Sequence, residues 1–102
     1  MKIGLVTGTV VSTVKQDGLK GLKLLIVQEA GTDGKPLGKN FLVAADAVGA
    51  GLGDLVITTA GSSARLTEFT NERPVDAVIV GIVDFIELEG TYSYRKYSIP
   101  EK

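Results

Sequence analysis

Cysteine and histidine are both missing from this chain. Without cysteine there are no disulfides, no thiolate nucleophile and no thiolate metal site, which fits a reducing compartment. Without histidine there is no Ser-His or Cys-His pair, no conventional zinc site and no side chain whose ordinary titration falls near neutrality. An enzyme built from this sequence would have to run on carboxylates, lysine, tyrosine or arginine. Tryptophan is also absent and aromatic residues make up 6% of the chain, so its 44% hydrophobic content is carried mainly by Val, Leu, Ile and Ala. A 102-residue domain has a small interior, and aliphatic surface beyond what it holds must face another chain. Self-association is the expectation.

Charge of one sign is lacking too. Eleven basic and twelve acidic side chains are interspersed, for a formal net charge of -1, so no basic face for nucleic acid or an anionic membrane stands out. No apolar run is long enough to span a bilayer, and the opening residues Met1, Lys2, Ile3 and Gly4 pass straight into an alternating pattern with no signal-like segment. The reading is a soluble cytoplasmic protein with neither nucleic acid nor membrane as a partner.

What is present reads as strand. Residues 2–14 are rich in Val, Ile and Thr and form a long strand that bends at Gly4 or Gly8; the segment 14–18 turns the chain. Residues 22–29 make a second strand, and Asp33-Gly34 within 31–36 signals a hairpin into a third strand near 38–45. A fourth strand, 55–59, follows the glycine-rich stretch 48–54. Ser62 is placed to cap a single helical turn beginning in 61–66.

Residues 75–88 give the strongest strand signal. Both odd positions (Val75, Ala77, Ile79, Val83, Phe85) and even ones (Val78, Val80, Ile82, Ile86, Leu88) are apolar, so both faces need cover. One face suits the interior of a barrel and the other a neighbouring subunit. The alternation of Tyr92, Tyr94 and Tyr97 with polar residues adds an edge strand or a docking tail. The expected fold is all-β, a small OB-like Greek-key barrel with one short helical turn, comprising residues 1–88 with a tail over 89–102.

Three constellations invite a chemical reading. The run Gly49-Ala50-Gly51-Leu52-Gly53-Asp54 is rich in free N–H groups of the kind that cradle phosphate. It has neither the spacing of a dinucleotide fingerprint nor the Gly-Lys-Ser/Thr ending of a P-loop, and tight turns or close backbone approach account for it better. Six aspartates, at 17, 33, 46, 54, 76 and 84, show no spacing that dictates a shared acid-base or metal site; Asp76 and Asp84 suit hydrogen bonds to Arg65 or Arg73. Tyr92, Tyr94 and Tyr97 beside Arg95 and Lys96 have the makings of a stacking platform for single-stranded nucleic acid, opposed by Glu87, Glu89 and Glu101 close by. No catalytic, cofactor-binding or metal-ligating residue is nominated.

Three blocks in order carry a resemblance. They are Gly8-Thr9-Val10-Val11-Ser12-Thr13 with Leu19-Lys20-Gly21-Leu22-Lys23-Leu24-Leu25, then Ala45-Asp46-Ala47-Val48-Gly49-Ala50-Gly51 with Gly61-Ser62-Ser63-Ala64-Arg65, then Pro74-Val75-Asp76-Ala77 with Val80-Gly81-Ile82-Val83-Asp84. Over about residues 1–86 the chain resembles the ethanolamine-utilisation and carbon-dioxide-concentrating (EutN/CcmL type) family of bacterial microcompartment vertex proteins. The resemblance implies an OB-like barrel assembling into a cyclic homopentamer that closes the corners of a polyhedral shell with hexameric shell proteins as facets. It further implies that Gly49, Ala50, Gly51, Gly61, Ser62, Ser63, Ala64 and Arg65 lie between subunits or around the central axis, with Asp84 among the carboxylates open to such contacts. The rival reading is an OB-type binding module for single-stranded nucleic acid or a small ligand.

Overall fold

In a computed structural model of the chain, which describes residues 1–11, 23–60 and 77–96, five of the strands turn alternate side chains to one barrel interior. The strands are β1 (Lys2–Thr9), β2 (Leu24–Ala30), β3 (Pro36–Asp46), β4 (Leu55–Ala60), β5 (Ala77–Ile82), β6 (Phe85–Leu88) and β7 (Thr91–Arg95). The first five close in the order β1-β2-β3-β5-β4 and back to β1. All neighbours are antiparallel except β3 and β5, where Ala45 pairs with Val78 and Asp46 with Ile79 in parallel. This is the OB-type order expected from the sequence.

Register explains the core. Val6 lies opposite Val27, and Leu25 opposite Ala44. These pairs point inward and meet Ala50, Val56, Ala77 and Ile79 in the barrel interior. Burying each large aliphatic side chain there contributes about 1.5–3 kcal/mol. Intervening residues point outward: Ile3, Leu5, Leu55 and Ile57 form an apolar patch on the outer wall of β1 and β4. Gly4 permits the close approach of β1 and β2, because a Cβ there would stand 2.2 Å from Val27 Cγ1. The bend in β1 falls between Val6 and Gly8, where the register slips against β2.

Two expectations are corrected. Residues 75–88 are not one strand within the described part, because β5 ends at Ile82 and β6 begins at Phe85. The cause is tertiary: β4 starts at Leu55, and once Ile82 has paired with Val56 and the Val83 N–H has reached Leu55 O (2.8 Å), β4 offers no further partner. The chain turns at exposed Asp84, and β6 pairs with β7 as a separate two-stranded sheet. Secondly, the outward face of β5 is not left for a neighbour at Val78, which is fully buried in a cluster with Ala45, Leu24, Ala47 and Val80.

The β6–β7 hairpin lies over the outer patch of β1 and β4 through Ile86 and Tyr94. Ser93 Oγ donates to Thr32 O in the β2–β3 turn, and Lys96 Nζ stands 3.4 Å from Asp54 Oδ1. That turn is the expected Asp-Gly hairpin, with Gly34 at φ 79° and the Lys35 N–H bonded to Asp33 Oδ1 at 2.9 Å. The division at Leu88 falls inside the β6–β7 hairpin, and the helical turn expected at 61–66 lies outside the described residues.

A candidate subunit interface

The loop from β3 to β4 takes its shape from two aspartates. Asp46 ends β3 with its side chain 3% exposed, and its Oδ1 accepts N–H bonds from Val48, Gly49 and Ala50, each at 3.1 Å. Lys23 Nζ stands 3.7 Å from the other carboxylate oxygen and donates to Ala50 O at 2.7 Å. A buried carboxylate is thus met by three backbone donors and a cation, the condition for holding its charge inside a fold. Further on, Asp54 Oδ2 accepts the Gly51 N–H at 2.8 Å, while Gly53 N–H bonds Val6 O and Val6 N–H bonds Asp54 O, both at 2.9 Å. The N–H groups of Gly49, Ala50 and Gly51 are therefore committed to the chain's own carboxylates, and those of Gly53 and Asp54 to backbone carbonyls.

The sequence-predicted residues separate in this frame. Ala50 is fully buried in the barrel core, where it packs in its own subunit's interior. Gly49 is exposed with φ 83°, and a Cβ on Gly51 would meet nothing nearer than Asp54 Oδ2 at 4.0 Å. Nothing among the described residues requires a small residue at 51. Leu52, 75% exposed, projects from the same loop. Gly61, Ser62, Ser63, Ala64 and Arg65 lie outside the described residues. Asp84 is exposed far along the chain at the root of the β6–β7 hairpin, beside Phe85, Tyr92 and Arg95.

The hairpin's aromatics do not form a row of free faces. Tyr94 packs onto the barrel, where a Cβ at Gly34 would come within 2.3 Å of its ring. Arg95 covers one face of Tyr92 at 4.2 Å, and Phe85 meets Tyr92 edge-on at 5.4 Å. Among the described residues no cluster of acidic side chains is arranged to hold a metal ion.

Sequence reasoning missed the largest apolar exposure. Residues 36–43 of β3 are all exposed, including Leu37 (52%), Phe41 (59%) and Val43 (52%). The consecutive apolar residues Phe41, Leu42 and Val43 were the available signal, since a strand alternates its faces and such a run needs cover on both.

A closed five-stranded barrel, a polar network devoted to loop geometry and an exposed apolar run on β3 suit an assembly subunit. The family described as "Ethanolamine utilisation protein EutN/carboxysome" matches residues 1–84, and the chain belongs to it. The carboxysome shell vertex protein CcmL of Synechocystis is 45% identical over 94% of this chain and 95% of its own length. The solved structure of Gloeobacter violaceus CcmL superposes with a TM-score of 0.87 at 44% identity, covering 94% of this chain and 98% of that one. A pentameric microcompartment shell protein of Rhodospirillum rubrum, GrpN, gives a TM-score of 0.76 at 45% identity over 86% of this chain and 99% of its own.

Proposed function

We propose that this protein is a structural subunit of a bacterial microcompartment shell, in the cytoplasm, where five copies close into a ring that caps a vertex between hexameric shell proteins. The observation that carries the reading is the match to vertex proteins across 94% of the chain, barrel and hairpin together. The residues of this chain suit it. A ring needs a heterologous interface, one surface of each copy meeting a different surface of the next, and closure after five copies makes the assembly finite. The role is geometric and the chain performs no catalysis. Contacts with hexameric neighbours can each be weak, because many edges act together in a closed shell.

Native mass tests it. Five chains of 10.7 kDa give about 54 kDa by light scattering or native mass spectrometry, independent of dilution over the working range. A monomer or dimer at every concentration and salt would remove the vertex reading.

A further inference from the structure

Strand β3 is 11 residues long, yet among the described residues only Ala45 has strand partners on both sides. Among the described residues, those before Ala45 pair with β2 alone and leave the other edge open. Side chains are bare on both faces of this stretch. Phe41 lies opposite Gln28 and Val43 opposite Ile26 on the outer wall, while Leu42, opposite Val27, borders a groove of about 480 Å³ at the barrel mouth with Met1, Gly4, Thr58 and Ala60. An apolar stretch whose second edge has no strand partner among the described residues, and whose two faces are uncovered, is a template for pairing.

We propose that residues 36–43 of β3, centred on Phe41 and Val43, are the surface on which the neighbouring copy of this chain docks. The proposal rests on the ring reading above and names the surface that closes it. Permanent subunit interfaces resemble a core cut in half, apolar and straddling elements on both sides, whereas transient contacts use polar surface. The stretch has that apolar character, and a relative of the same fold at 45% identity is a pentamer.

The strand also limits how it can be paired. Ala30 faces Pro36 and Gln28 faces Phe41, so the single β2 residue Glu29 stands against residues 37–40 of β3, an irregular bulge of several residues. Gly38 sits there at φ 63°, its carbonyl taken by Gln28 Nε2 at 2.7 Å. Pro36 has no N–H to give, and Lys39 places a charge on the bulge. These are the devices that blunt an edge against open-ended stacking. The usable segment shrinks to the short apolar run around Phe41, which suits one defined partner.

The test uses the full chain. Phe41→Asp combined with Val43→Asp shifts the native mass from about 54 kDa to that of one 10.7 kDa chain, with the far-ultraviolet signature of the barrel retained, while Lys35→Ala stays at the pentamer mass. A double variant that remains pentameric overturns the docking surface and leaves the vertex reading standing; a wild-type chain that is never pentameric takes both down. Because the chain has no cysteine, Val43→Cys supplies a second readout that does not depend on the charged variant folding. In the intact ring a maleimide labels Val43→Cys roughly tenfold more slowly than Lys35→Cys, and the difference disappears when the ring is dissociated by mild denaturant. Equal rates in the intact ring would overturn the proposal.

Discussion

Asp46 does more for the β3–β4 loop than any glycine in it. Its Oδ1 satisfies three backbone donors and its partner oxygen faces Lys23. Asp46→Ala strands those donors in a buried setting and lowers unfolding stability by about 2–4 kcal/mol, whereas Asp46→Asn keeps one acceptor and loses less, a ranking that urea titration reads directly. Thr59 gives the opposite case, since its Oγ1 is buried and no partner for it exists among the described residues. Thr59→Val keeps the shape, removes the unpaired hydroxyl and raises stability by about 1 kcal/mol, visible as a higher thermal midpoint. At Gly34 a methyl would press on the Tyr94 ring and the backbone is left-handed, so Gly34→Ala costs about 1–3 kcal/mol. If Tyr94 is the obstacle, the cost of Gly34→Ala shrinks in a Tyr94→Ala background. Strict additivity would place it in the backbone instead.

Among the elements, those governed by local rules were legible and those governed by neighbours were not. β2, the Asp-Gly turn and β3 announced themselves through short apolar runs and turn chemistry within a residue or two of their ends. The break at 83–84 was hidden because the apolar pattern runs on through it; what stops β5 is the place where β4 begins, which no local pattern encodes. The β6–β7 turn was hidden as well, because Glu89-Gly90 is not the usual Asn-Gly or Asp-Gly, although Glu89 (φ 53°) and Gly90 (φ 83°) adopt the same left-handed pair. For the candidate site, glycine content drew attention to residues 49–51, but Ala50 proved to be core. Asp46, followed by Gly49 in the manner of an Asx turn, was the better pointer.

At the scale of the whole molecule, the residues proposed for assembly at Gly51 and along β3 are loosely packed within the subunit, which makes them testable in isolation. Among the described residues Gly51 has room for a side chain, so Gly51→Val folds with a normal thermal midpoint. If neighbouring backbones crowd there, the same variant loses ring mass while Lys35→Ala does not; equal assembly of the two removes Gly51 from the contact. The apolar stretch of β3 has the same logic, since a side chain half exposed in one copy contributes little to that copy's folding.

The Glu89-Gly90 turn has a use beyond joining two strands. It ends a hairpin whose hold on the barrel lies further back, at Ile86, Tyr94, Ser93 and Lys96. Loop tips of this kind accept inserted sequence at small entropic cost. A peptide tag spliced between Glu89 and Gly90 therefore rides on the outside of the subunit while the barrel keeps its melting temperature, turning the hairpin into an addressable handle carried at every corner where the protein is installed.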